Sequence, residues 1–559
     1  MPNHTAILAP VNGPRADGSA SPPVRALYEL ALVVVGFSAL IVAVTWPLAS
    51  HPATLAYKPQ SSDGQFSVWN VAWVAHALLT DPRHVFDANI FYPHRGTLTY
   101  SETNLAAGAL GVPAYWATHS AYATHNLVLL ASFVLNATGM YYLARHVAEN
   151  RWAASVAALA FGFTPYLFAH LQHMQLLLAA GLPFSLLAFH RLADRPTAGR
   201  GMTVGAVMAL QAYACGYYAV FVGLMIGSAA IIVAATRHMR RVQFWTALAA
   251  AVATATLGAL PLLIAYAQLR RQTGFSRALT EGHRYSVDWR EYLASGSYAH
   301  SWMLVYLQHW KDVLFPGFVA SIGGLAGLAV GWKAGGRFRE RATVYGALGI
   351  LAAWASAGPN GLLYRVLYAT VPGFTFLRAP SRFGLIVAFA LSVLSALGIG
   401  RLLARASRPA LLGSLFVGAA LLEIWLPLTF SPVPPLDGVY RQLATLPHGA
   451  VLELPVYSEQ FGFLRARYMV ASTAHWKPLV NAYSDYIPPD FSERAEVFGE
   501  FPTSRAIAEL RSSRVRYVVI HLNDYKREHD LHERLHQFAP YLRRLYADER
   551  TLLYELMLP

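Results

Sequence analysis

Cysteine is almost absent: Cys215 stands alone in 559 residues, which excludes an intrachain disulfide and a cysteine-based zinc site. Charge is scarce as well. Only 13% of residues are Asp, Glu, Lys or Arg, against about 25% in soluble domains, and this excludes an ordinary water-soluble globule. Acidic residues are the scarcer sign, 30 against 44 Lys and Arg, for a formal net charge of +14. Such a basic excess suits nucleic acid or an anionic membrane surface. The positions decide for the membrane and against nucleic acid, because many arginines sit in short connections between apolar runs, where they set topology. No inverted pair of halves is found, which argues against a transporter.

What is abundant is apolar sequence, 55% of the chain. Runs of spanning length fall near 27–49, 121–144, 152–169, 174–190, 202–218, 219–235, 243–267, 313–332, 342–357, 382–400 and 409–429. These predict about 11 transmembrane helices, each near the 17 to 25 residues that cross a bilayer. Every second connection is rich in Lys and Arg, as around Arg145 and Arg151, Arg191 to Arg200, Arg337 to Arg341 and Arg401 to Arg408. By the positive-inside rule the amino terminus is cytoplasmic. Loops 50–120, 268–312 and 358–381 and everything after Phe430 are then extracytoplasmic, and the chain is a multi-pass protein of the cell inner membrane.

Three units follow from composition. Residues 1–26, rich in Pro, Gly, Ala and Ser, read as a disordered cytoplasmic segment. Residues 27–430 form the transmembrane bundle. Residues 431–559 change to mixed polar and apolar sequence, with strand-like runs at 451–456 and 515–521 and helical patterns near 504–512 and 527–538, a small α/β domain behind the hinge SPVPPLDG. The fold class is therefore mainly α, a polytopic helical bundle with an α/β appendix. Gly323, Gly327 and Gly331 are spaced four apart, which lets a second helix approach closely.

Candidate chemistry lies in the outer loops. Asp63 follows the first span and precedes the Trp-rich run 66–79, whose Trp69 and Trp73 mark a helix lying in the membrane interface. An ionised carboxylate there can accept a proton from an attacking hydroxyl, or it can cap that helix. Asp87 and Glu102 flank the FYPH turn and are residue types that bind sugar hydroxyls, ligate a divalent cation or cap turns. His170 and His173 sit in the polar hairpin HLQHMQ. Glu423 lies inside the last span and needs a partner, either an arginine of loop 358–381 or a hydrogen-bond network. In VPGFTFLRAPSRFG, Arg378 and Arg382 are four apart, on one helical face if Pro380 opens the helix. Guanidinium groups bind phosphate bidentately or anchor a helix at the interface. Loop 268–312 reads as a lid or groove wall.

These features resemble a GT-C type membrane glycosyltransferase of the kind that uses polyprenyl-phosphate sugars. More narrowly, FYPH, PGFTFLRAPSRF, STAHWKPLVNAYSDYIPP and VRYVVIH resemble a group of bacterial multi-span proteins distantly similar to YfhO. The resemblance implies that an acid of the first outer loop acts as base, here Asp63. It makes Glu102 and Asp87 candidates for further acids there, and beside them His170, His173, Arg378, Arg382 and Glu423, read from their own positions, are the candidates for holding substrate. It also admits a divalent cation, Mg or Mn, although the loop lacks a DxD pair and no metal ligand is assigned. The expected partners are a polyprenyl-phosphate sugar donor, an extracytoplasmic glycan, lipid or protein acceptor, and the bilayer itself. The competing classes are a transporter or flippase and a non-catalytic envelope scaffold.

Overall fold

The computed structural model describes residues 22–237, 241–525 and 528–557. Each of the eleven apolar runs is helical. Seven helices among the described residues are long and apolar enough to cross a membrane: Val24–Val44, Ala121–Ala148, Arg151–Ala169, Met174–Asp194, Gly216–Thr236, Val242–Thr273 and Pro380–Leu403. The other four fall short of that standard for visible reasons. Ala198–Ala214 and Phe318–Ala334 have 17 residues and Pro409–Glu423 has 15, about 25 Å or less at 1.5 Å per residue. Gly336–Ser356 opens on Arg337, Arg339, Glu340 and Arg341. The first helix begins at Pro22, inside the segment expected to be disordered; residues 1–21 lie outside the described ones.

Charges at the helix ends show how the bundle is oriented within itself. Glu29 takes Arg145 at 3.7 Å and Arg151 at 2.7 Å. Arg237 bridges Asp194 and the buried Glu340 at 3.2 and 2.7 Å, and Arg341 reaches Glu149 at 3.4 Å. One end of the bundle is thus laced by arginines from successive connections. Packing between spans uses the predicted glycine stripe: a Cβ on Gly327 would lie 1.9 Å from the carbonyl of Leu394, so only glycine lets Phe318–Ala334 lie this close to Gly384–Leu403.

The opposite end carries the loops and the C-terminal domain. That domain holds a four-stranded sheet in the order Ala450–Leu454, Val515–His521, Thr551–Leu556, Leu542–Ala547, with the first pair parallel and the others antiparallel. Two of its strands match the expected runs, whereas Leu542–Ala547 and Thr551–Leu556 lie outside them: LRRLYA and TLLYEL are six residues each and neither alternates apolar with polar. The helix expected at 527–538 is Glu528–Gln537, and residue 527 itself is outside the described residues. The hinge is tied down: Phe430–Pro432 pairs antiparallel with Leu55–Tyr57 of the first outer loop.

The Trp-rich run corrects an expectation. It is the helix Ser62–Thr80, but it does not lie on the lipid interface. Trp69 is buried and donates to the Asn89 amide oxygen at 3.0 Å, and Trp73 donates to the Val85 carbonyl at 2.9 Å. The C-terminal domain covers the helix: Phe66 meets Tyr483 edge-on at 5.9 Å, and Trp73 meets Trp476 at 5.7 Å. A buried indole needs an acceptor for its N–H, and here the protein supplies it in place of the headgroup layer. The FYPH turn serves the same contact. Phe91 packs on Phe491 at 5.4 Å, and His94 faces Asp490 at 2.9 Å, which Arg494 also binds.

Candidate active site

Between the bundle and the C-terminal domain lies a cavity of about 440 Å³. Asp63, Glu102, His173, Arg378 and Arg382 all line it. They come from four separate stretches of sequence.

Asp63 reaches the cavity because another residue does the capping. Ser61 is the N-cap of helix Ser62–Thr80, accepting from the Gly64 amide at 3.4 Å, and its hydroxyl donates to Gln172. The Asp63 side chain, in the first turn where the helix dipole favours an anion, is left to face His173, with Oδ2 3.6 Å from Nε2. The His173 imidazole holds the Asp63 carboxyl below its usual range, outweighing partial burial, and Arg378 and Tyr483 act in the same direction. Tyr483 is pushed up to about 12 by burial and by Asp63, so its phenol keeps its proton. Asp63 is therefore an ionised acceptor, half exposed to the cavity.

Glu102 behaves oppositely. Its Oε2 accepts from the Gly216 amide at 3.1 Å, at the first residue of helix Gly216–Thr236. Burial raises its carboxyl above the usual value, and the Gly216 hydrogen bond offsets this only in part. It caps a helix from the cavity wall.

Arg378 and Arg382 do not share a helical face. Pro380 opens a 3₁₀ turn, Pro380–Phe383, and Arg378 precedes it in extended chain. Both nonetheless line the cavity. Arg382 lies over the Tyr217 ring at 3.9 Å, and among the described residues no carboxylate lies within ion-pair distance of it. Arg378 Nη1 is 3.2 Å from Asp485 Oδ1. Arg270 and Arg277 also line the cavity, which makes four arginines.

The remaining candidates stand elsewhere. His170 is behind the wall: Nδ1 donates to the Tyr166 carbonyl at 2.8 Å, Nε2 is 3.9 Å from Asp312, and its ring is 5.9 Å from that of His173. Burial lowers its pKa. Asp87 is outside the cavity and does turn work, accepting from the amide of Gly96 at 2.7 Å where the chain turns through φ 67°. Glu423 is outside it too. Its partner is no arginine of loop 358–381 but the N-terminus of helix Phe318–Ala334, with Oε1 2.9 Å from the Phe318 amide, and His300 at 3.5 Å. Helix amides and a histidine satisfy a carboxylate in that position.

The cavity also contains residues that sequence reasoning did not single out. Arg277, Tyr217 and Tyr266 had no motif to mark them, whereas Tyr483 and Asp485 lie in the run STAHWKPLVNAYSDYIPP. A divalent cation does not fit this donor set. Among the described residues no group of three His, Cys, Asp or Glu side chains is placed to hold a metal, Asp63 is engaged by His173 and Glu102 by an amide. Four guanidinium groups, four tyrosines and the amides of Gln172 and Gln175 suit an anion beside hydroxyl groups. The lining also has an apolar part, with Ala212, Val220, Leu262 and Leu263, of which Leu263 is 49% exposed.

No protein-family model matches the chain, and no curated protein matches it. Solved structures do. Arabinofuranosyltransferase AftD from Mycobacteria is similar over 98% of this chain at 14% identity with a TM-score of 0.55. A second AftD structure, the R1389S mutant in class 2, gives 0.59 over 94% at 14% identity. The chain spans about two fifths of AftD, 40% and 41% of its length in the two comparisons. ArnT from Cupriavidus metallidurans bound to undecaprenyl phosphate aligns over 96% of this chain and 98% of its own, at 14% identity and a TM-score of 0.48. The bundle, its outer loops and the C-terminal sheet domain together make this a membrane protein with the GT-C type fold.

Proposed function

We propose that the chain is a glycosyltransferase that moves a sugar from a polyprenyl-phosphate donor to an acceptor hydroxyl on the extracytoplasmic side of the inner membrane, with inversion at the anomeric carbon. The observation that carries this reading is the single cavity in which an ionised carboxylate, Asp63, faces arginines, two of which, Arg270 and Arg382, lack a carboxylate partner among the described residues. Its apolar lining residues Leu262 and Leu263 belong to the spanning helix Val242–Thr273, and Leu263 is 49% exposed, a path along which a prenyl chain would enter. The AftD fold, that of an arabinofuranosyltransferase, supports the same class.

In this mechanism Asp63 takes the proton of the acceptor hydroxyl as its oxygen bonds to the anomeric carbon. The bond from that carbon to the phosphate oxygen breaks, and its electron pair leaves with the lipid phosphate. Arg382 and Arg378 stabilise the charge that develops there. His173 orients Asp63 and keeps it ionised. Arginine-rich connections at the other end of the bundle favour the cytoplasm for that end, and with that orientation the cavity opens outside.

The test is transfer from a purified lipid-linked sugar by the full chain in detergent. Asp63→Asn is expected to cost about 10² to 10⁴ in turnover, the usual worth of general-base catalysis, with binding of the lipid phosphate retained. Near-normal transfer by that variant would remove Asp63 from the mechanism, and counterflow of intact donor without covalent change would replace the enzyme with a flippase.

A further inference from the structure

The C-terminal domain contributes one charged side chain to the cavity, Asp485, and its surroundings are built. Its Oδ1 lies 2.9 Å from Arg277 Nη2 and 3.2 Å from Arg378 Nη1, and its Oδ2 accepts from the Ser101 hydroxyl at 2.8 Å. The backbone on either side is fixed to the bundle. The Tyr486 amide donates to the Tyr100 carbonyl at 3.0 Å, the Tyr486 ring meets Tyr100 at 5.0 Å and Phe275 at 5.7 Å, and Tyr483 rests on Phe66. Asp485 is therefore a preorganised charge in the wall.

Its effect is on the charge that the site will accept. Counting arginines and carboxylates, the cavity sets Arg270, Arg277, Arg378 and Arg382 against Asp63, Glu102 and Asp485, an excess of one positive charge. Asp485 bridges two of the four guanidinium groups and leaves Arg382 with no carboxylate in ion-pair distance among the described residues, Glu102 acting on it from farther off. A phosphodiester carries one negative charge; a lipid-linked diphosphate carries at least one more and would have to lie beside Asp485. A repulsive element of this kind is how sites exclude a close analogue.

We propose that Asp485 is the specificity-determining residue of the donor site, fitting it to a single phosphate group and disfavouring a diphosphate. This rests on the polyprenyl-phosphate donor reading above. Asp485 also positions Arg378 for the departing phosphate, so the C-terminal domain completes the site.

The experiment is equilibrium binding, with no acceptor added, of a short-chain polyprenyl-phosphate sugar and the matching polyprenyl-diphosphate sugar to the detergent-purified full chain. The wild-type chain is expected to prefer the monophosphate. Asp485→Asn shifts the ratio of the two dissociation constants at least tenfold toward the diphosphate, about 1.4 kcal/mol, and Asp485→Glu retains the wild-type preference. Asp485→Ser, which likewise removes the charge, shifts the ratio in the same direction and stands in should Asp485→Asn fail to fold. An unchanged ratio in Asp485→Asn, or equal weakening of both lipids, overturns the assignment while leaving the donor reading intact. A wild-type chain that binds neither lipid, with Arg382→Gln without effect, overturns the donor reading and this assignment with it.

Discussion

Arginines gather at both ends of this bundle, yet they are treated differently. At one end the buried Glu340 and the partly buried Glu29 and Asp194 take arginines from other helices, and Arg237 alone satisfies two carboxylates. At the other end Arg382 stacks on a tyrosine with no carboxylate within ion-pair distance among the described residues, Glu102 acting on it only from farther off, and Arg378 has one aspartate, which it shares with Arg277, itself also paired with Glu281. A matched guanidinium ties helices together, whereas an undermatched one in a cavity keeps its attraction for an external anion. Composition and topology rules weigh only how many arginines an end carries; pairing separates a structural charge from one held for a ligand.

The contrast is sharpest if one charge is removed from each end. At the cavity, Arg382→Gln is expected to cost roughly 10² to 10³ in turnover with little change in unfolding temperature, since it strands no carboxylate. A large loss of stability in that variant would make Arg382 a structural residue. At the opposite end, Glu340→Gln leaves Arg237 with only Asp194 and is expected to destabilise the protein by about 3 kcal/mol, the order found when half of a buried pair is removed. Its turnover per folded molecule should be that of the wild-type chain, and a drop there would break the division between the two ends.

The two acids of the first outer loop give a finer version of the same comparison. Asp63 must be ionised to act, and His173 holds its carboxyl low, so activity persists as pH falls below the ordinary carboxylate value near 3.8 and is lost only on passing the depressed pKa. His173→Gln should move the acid limb of the pH–rate profile upward; an unmoved limb would separate His173 from Asp63. Glu102 has a raised pKa in the folded chain. Its contribution to stability is present below the unfolded value and is lost as pH rises through the folded one. Glu102→Gln, which still offers an acceptor to Gly216, should therefore unfold at a slightly higher temperature than the wild type near pH 8 and at the same temperature near pH 4.

The position of most helices was legible because a spanning segment must bury its backbone hydrogen bonds within itself and display apolar side chains, a local requirement that apolar runs record. The fate of the Trp-rich helix was not. Trp69 and Trp73 at four-residue spacing fit an interfacial helix and a covered one equally, and only the arrival of Asn89, Tyr483 and Trp476 decides between them. The roles of Glu102 and Glu423 were hidden for a related reason. Each caps a helix whose first residues lie 114 and 105 positions away in the chain, and sequence proximity holds no trace of such pairs.

What the amino-acid order determines by itself is a membrane-embedded helical bundle with a small α/β domain after its last apolar run, together with a list of polar residues too costly to leave in a bilayer without a purpose. Hydrophobic length and charge placement act residue by residue, so a linear reading recovers them. The tertiary structure alone decides that Ser61 does the capping and frees Asp63, that Arg378 and Arg382 meet Asp63 across one cavity, and that Asp485 reaches in from the C-terminal domain. Electrostatic function depends on which charges end within a few ångströms of one another, and that is settled only when distant segments pack.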